Sequence, residues 1–117
     1  MDHWFLKQLD EYRAIIDVPF IITEDFAATG HANNSFHYRG RAVDGHFEKN
    51  GKRLSAVAQL ILALQSPFHG IGIYTWSENG AFLHLDNRST FERHIWICET
   101  KGVYRNLDLD FLKKIVI

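Results

Sequence analysis

A single cysteine, Cys98, stands among 117 residues. That count excludes an intramolecular disulfide and a thiolate zinc site of the finger type, and it leaves the redox compartment open. Net charge is also nearly absent: the formal value of -1 offers no field for steering a phosphate backbone, so nucleic acid is not an expected partner. No apolar run approaches the ~20 residues of a membrane helix. The longest, AVAQLILALQ at 56–65, is about half that length, and no membrane partner is expected. The amino terminus, MDHWFLKQLDEYR, carries charges every few residues and lacks the apolar centre of a secretory signal, which reads as a chain that is cytoplasmic as synthesised.

Repeats, low-complexity tracts and the signature of a second domain are missing too, so residues 1–117 read as one domain, with a monomer as the default. A chain of this size can build one hydrophobic core without a metal being obligatory for folding. Any metal it holds would therefore serve function. A hydrophobic fraction of 46% with 14% aromatics places it among ordinary globular proteins.

Leu6, Leu9, Tyr12, Arg13 and Ile16 recur at helical spacing, and Asp17-Val18-Pro19 ends that helix because proline disfavours a helical residue before it. PFIIT (19–23) reads as a short buried strand. EDFAATGHANNSFHYRG (24–40) shows neither helical nor strand period, and a loop of that length inside a small domain is usually functional or disordered. GRAVDGHFEKNGKRL (40–54) reads as two strands around a Lys-Asn-Gly turn, with Ala42 and Asp44 opposite Val43. Residues 54–65 place Leu54, Val57, Leu60, Ile61 and Leu64 on one side of a second helix. GIGIYTW and AFLHLD form a hairpin around SENG, HIWICE with VYRNLD forms another, and LDFLKKIVI is a short helix or an edge strand. The expectation is an α+β single domain: a small, mostly antiparallel sheet with two or three helices.

Seven histidines invite a metal reading, yet His3, His31, His46, His69 and His94 each read best as surface, turn or packing residues. His37 and Asp44 differ because they flank a glycine, and His84 lies in an alternating strand pattern. Two imidazoles and one carboxylate, with a fourth position left to water, are what a catalytic zinc requires. From spacing alone the alternative stands beside it: a satisfied loop histidine, an exposed aspartate at a strand end and a hairpin histidine on the wet face.

The stretch SFHYRGRAVD (35–44) resembles the S-x-H-x-x-G-x-A-x-D motif of the zinc D-alanyl-D-alanine carboxypeptidase and L-alanyl-D-glutamate endopeptidase family, whose fold is shared with the hedgehog signalling domain. GIGIYTW…AFLHLDNR resembles that family's late G-x-G-x-Y…F-V-H-x-D-x-R segment, in the right order, so the resemblance covers roughly residues 5–97. It implies a zinc ion held by His37, Asp44 and His84. It also implies a close-packed entry to the sheet at Gly40 and Ala42, and loop support or substrate contact from Ser35. Arg88 matches the end of the late motif, where a substrate carboxylate contact and a surface salt bridge are both open.

Metallopeptidase chemistry also needs a carboxylate to take the proton of the metal-bound water. In the resembling carboxypeptidases that residue lies three positions before the last histidine; here it is Ala81. Two carboxylates are candidates in its place. Asp86 shares a strand face with His84 and is the preferred base, its other reading being to accept a ligand's ring N–H and fix the tautomer. Glu78 lies six residues before His84, in the SENG turn. The family's Ser-Gly-Tyr-Arg element is replaced by Glu24-Asp25-Phe26-Ala27, so its arginine is missing. Arg39 and Arg41, on one exposed face, are candidates to compensate. Tyr74 and Trp76 either wall a substrate groove or pack across the hairpin.

The resemblance thus implies a zinc-dependent peptidase acting on D-amino-acid-containing stem peptides of bacterial peptidoglycan, lysin-like and suited to a phage or prophage. The alternative is a catalytically inactive metal-binding module of the same fold, such as a phage structural or wall-binding protein.

Overall fold

The computed structural model describes residues 2–24 and 41–116. In them the chain runs α1 (His3–Ile16), β1 (Phe20–Glu24), β2 (Ala42–Lys49), β3 (Lys52–Arg53), α2 (Ala56–Leu64), β4 (Gly70–Tyr74), β5 (Phe82–Asp86), β6 (His94–Thr100), β7 (Val103–Asn106) and α3 (Leu109–Val116). This is the expected α+β domain, with three helices and a seven-stranded, mostly antiparallel sheet. The strand order is β1-β2-β5-β4-β6-β7, with β3 paired to β2. Among the described strands only β4 and β6 pair in parallel. Among the described residues no helix is long and apolar enough to cross a membrane.

Local chemistry accounts for most of the boundaries. The Asp2 carboxylate caps α1 by accepting from the Phe5 N–H at 2.9 Å, and α1 stops at Asp17, whose left-handed backbone (φ 54°) lets its N–H return to the Arg13 carbonyl. The Ser55 hydroxyl caps α2 on the Ala58 N–H. Asn50 and Gly51, both with positive φ (55° and 75°), make the tight turn between β2 and β3 that the Lys-Asn-Gly signal implies. LDFLKKIVI resolves as the helix α3, started by the Asp108 side chain accepting from the Phe111 N–H.

Alternation divides the sheet into two unlike faces. Phe20, Val43, Phe47, Ile71, Ile73, Leu83, Leu85 and Ile97 point to one side and share a single core with Phe5, Leu9 and Tyr12 of α1, Ala63 of α2 and Phe111 of α3. The opposite side carries Ala42, Asp44 and His46 of β2, His84 and Asp86 of β5, Gly70, Gly72 and Tyr74 of β4, and Trp96 of β6.

Three expectations need correction. The inward stripe of α1 is Phe5, Leu9 and Tyr12, while Leu6 and Arg13, about a quarter turn away, are exposed. In α2 the buried residues are Gln59, Leu60 and Ala63, whereas Ile61 and Leu64 are exposed. That helix is apolar nearly all round, so pattern alone does not fix its facing. The Gln59 amide does: it accepts from the Phe47 N–H at 3.0 Å and donates to the carbonyls of Leu54 (3.0 Å) and Ala81 (2.8 Å), satisfying backbone groups of three segments. Finally, β1 is an edge strand with one wet face, burying Phe20 and exposing Ile21, not a fully buried strand.

Candidate metal and catalytic site

The antiparallel register of β2 and β5 sets Asp44 opposite His84 and Ala42 opposite Asp86, all on the face away from the helices. Asp44 Oδ1 lies 3.1 Å from His84 Nδ1, and Asp86 Oδ2 lies 2.7 Å from His84 Nε2. The imidazole is thus held at both edges. Asp86 is fully buried, and its burial is tolerated because Arg88 meets it three times: Nε at 2.8 Å, the terminal Nη2 at 2.7 Å and the backbone N–H at 3.1 Å. Among the described residues these two carboxylates, one guanidinium and one imidazolium sum to zero charge, which makes such a chain affordable away from water.

The charge states follow from the geometry. Burial disfavours the charged form of His84, but the hydrogen bonds to Asp44 and Asp86 outweigh it and raise its pKa from the ordinary 6.5 to about 9. Burial likewise opposes the Asp86 carboxylate, and the hydrogen bonds from Arg88 and His84 overcome it, holding the group well below the usual carboxylate range. At neutral pH His84 is therefore an imidazolium that donates from both nitrogens.

Space for this chain comes from two strand glycines. Gly70 pairs with Asp86, and a Cβ there would fall 2.0 Å from the Asp86 carboxylate oxygen. Gly72 pairs with both His84 and Trp96, and its Cβ would fall 2.5 Å from the Trp96 ring nitrogen. Trp96 fills the room so created. Its ring centroid lies 5.1 Å from that of His84, the Arg88 guanidinium sits 5.0 Å over it, and its N–H donates to the Tyr74 hydroxyl at 3.1 Å.

The residues proposed from sequence fall into three groups. Asp44, His84, Asp86 and Arg88 come together in one chain of contacts. Ser35, His37, Arg39 and Gly40 lie outside the described residues. Glu78 is exposed in the turn between β4 and β5, and Trp76 stands edge-on to Phe82 at 5.6 Å. Arg88 buttresses a buried carboxylate, so its ion pair with Asp86 is not a surface salt bridge. Arg41 is half-buried, not fully exposed: its side chain binds the Asn87 side chain at 2.8 Å and the Asn87 carbonyl at 3.0 Å, tying down the chain as it leaves β5.

Sequence reasoning passed over Trp96 and gave no separate role to Gly70 and Gly72, the two glycines of the GIGIYTW segment. Glycines two apart inside a strand were the available signal, since such a pair marks close approach by another group. His46, read as a surface, turn or packing residue, is buried next along β2 from Asp44 on the same face. Its Nε2 lies 2.5 Å from the Glu48 carboxylate, and its Nδ1 has no hydrogen-bond partner among the described residues.

Two atoms of types that bind zinc are in contact, His84 Nδ1 and Asp44 Oδ1, and the far nitrogen of His84 is anchored by a carboxylate, as the ring of a metal-binding histidine commonly is. Among the described residues no group of three or more His, Cys, Asp or Glu side chains is placed to hold a metal, and the expected third ligand, His37, lies outside them. Comparison with protein-family models, with curated proteins and with solved structures finds no match for the chain.

Proposed function

We propose that this protein is a zinc-dependent peptidase acting on the D-amino-acid-containing peptides of bacterial cell walls, with His37, Asp44 and His84 holding the metal in the hedgehog/DD-peptidase fold. The observation that carries the reading is the convergence of Asp44 Oδ1 and His84 Nδ1 across forty residues of sequence, with Asp86 behind the ring. When bound, zinc supplies a polarised carbonyl and a water whose pKa falls to ~7.

The chain's own groups divide the remaining work. Asp86 accepts the Nε2–H of His84 and so would leave the other ring nitrogen for a metal, while Arg88 keeps Asp86 ionised. That role replaces the one expected for Asp86 as proton acceptor, because a fully buried carboxylate already bound on both oxygens has no lone pair directed at a water. Ala81 is no substitute. Its side chain packs against the hydrophobic core, on the parity of Leu83 and Leu85, and its carbonyl is held by Gln59. Glu78, exposed at the head of the same hairpin, is the carboxylate assigned to the water. A zinc ion held by His84 would have to displace a proton from the imidazolium, so its uptake would strengthen as pH rises towards 9.

A second reading, an inactive metal-binding module serving as a phage structural or wall-binding protein, draws on the same engagement of Asp86 and on Ala81. Metal analysis of the purified chain, paired with mass spectrometry of products released from peptidoglycan, separates the two. The peptidase reading expects about one zinc per chain and released fragments, with His37→Ala losing zinc and product, and Glu78→Gln keeping zinc but losing product. Full zinc occupancy with no product from several wall chemistries selects the module. A chain that takes up no zinc in chelator-free buffer overturns both.

A further inference from the structure

Tyr74 carries a hydroxyl that its packing does not explain. The ring stacks on Phe82, centroids 4.7 Å apart and planes within 10°, a contact that a phenylalanine would make equally well. The oxygen accepts the Trp96 ring N–H at 3.1 Å. A phenol also has a hydrogen to donate, and among the described residues no acceptor meets it. Burial holds the group well above its ordinary pKa of 10.0, so the hydrogen stays on the oxygen through neutral and alkaline pH.

The register fixes where that hydrogen lies. Tyr74 shares the sheet face of Asp44 and His84 and follows Gly72 by two residues, and Gly72 is the direct cross-strand partner of His84. The bare backbone of Gly72 admits the rings: a Cβ there would fall 2.5 Å from the Trp96 ring nitrogen and 2.8 Å from an edge carbon of Tyr74. Both rings therefore lean over the residue beside His84 and meet there by their polar ends. Asp44 is near enough for its charge to push the Tyr74 pKa further up. Neighbouring strands stand ~4.8 Å apart, so a molecule of a few heavy atoms reaches from the Asp44–His84 pair to the phenol.

We infer that Tyr74 donates its hydroxyl hydrogen to an oxygen of the ligand bound at the Asp44–His84 pair, an assignment that rests on the zinc reading above. Charge favours the same class of ligand. Zinc with the carboxylates of Asp44 and Asp86, the Arg88 guanidinium and a neutral His84 would sum to one positive charge, which an oxygen anion balances and a cation does not. In amide hydrolysis the oxygen is that of the scissile carbonyl. Negative charge grows on it as water adds to the carbon, so a fixed O–H donor binds it more tightly as the reaction proceeds.

The test is calorimetric titration of the full, zinc-loaded chain with acetohydroxamate, a small oxygen anion that binds zinc. Saturable binding is expected, weakened about tenfold by Tyr74→Phe, with zinc content and thermal unfolding as in the wild type. Tyr104→Phe is the control. It removes a hydroxyl from the ring that meets Tyr74 edge-on at 6.2 Å but stands 61% exposed, and binding should not change. The NMR resonance of the hydroxyl-bearing ring carbon of Tyr74 should also move as acetohydroxamate saturates the wild type, which decides the matter even if the variant fails to fold. No binding by the zinc-loaded wild type, full affinity in Tyr74→Phe, equal weakening by Tyr104→Phe or a stationary Tyr74 resonance overturns the assignment and leaves zinc uptake standing. A chain that takes up no zinc overturns the zinc reading, and the assignment falls with it. Zinc uptake and the Tyr74→Phe loss without product from peptidoglycan sustain the assignment and remove the peptidase reading.

Discussion

Along β2, β4 and β5, neighbouring residues meet opposite environments. Val43, Ile71 and Leu85 enter the core beneath the helices, while Asp44, Gly70, His84 and Asp86 stand on the other side of the same backbone. On the first face stability comes from apolar area, which is non-directional and shared among many contacts. On the second it comes from a short series of charge-assisted hydrogen bonds in which each member depends on the next. The faces should therefore fail differently: the core in proportion to the volume removed, the ionic chain in proportion to the charge left unpaired.

Asp86→Asn should have the largest effect, costing about 4 kcal/mol in urea unfolding because Arg88 and His84 are left facing a neutral amide in a buried setting. The pH profile of the metal-free wild type sharpens this. The folded-state pKa of His84 is raised from 6.5 to about 9, so its contribution is complete below pH 6.5 and is lost as pH rises through 9. The pKa of Asp86 is lowered from 3.8, so its contribution is complete above that value and is lost as pH falls below it. Stability should then peak between pH 4 and 6.5, and Asp86→Asn should flatten the alkaline decline. An alkaline limb identical in the variant and the wild type would mean that the two groups are not coupled.

Leu85→Ala, one residue away on the other face, should cost about 3 kcal/mol from lost transfer energy and a residual cavity. His84 should nevertheless titrate as before by NMR. A displacement of that titration by more than roughly half a pH unit would break the independence of the two faces. Gly70→Ala should cost less, about 2 kcal/mol, the usual scale of overpacking. Unlike Leu85→Ala it should pull the His84 pKa down, because the new methyl displaces the carboxylate that holds the ring. Unfolding and NMR titration on the same sample decide it.

Much of this arrangement was legible in residue types and spacing. Parity alone put Asp44 opposite Val43 and set His84 and Asp86 on one face, and the turn at Asn50-Gly51 needed only its two residues. What decided the rest lies between distant segments. Nothing local turns α2 so that Gln59 faces inward, because the reason is three backbone groups on other segments. Trp96 joins the site only through the parallel pairing of β4 with β6, which sequence does not announce. The pairing of Arg88 with Asp86 turns on one fact that sequence does not give, that the aspartate two residues earlier is buried and needs a partner.

The register that brings Asp44 to His84 also sets an order of assembly in time. The β4–β5 hairpin closes over a few residues, whereas joining it to β2 closes a loop of about forty, a slower and entropically costlier event. Trp96 is reached later still along the chain. The indole that packs beside His84 arrives only with the parallel pairing of β6 to β4, so the imidazole is enclosed after the hairpin that carries it has closed.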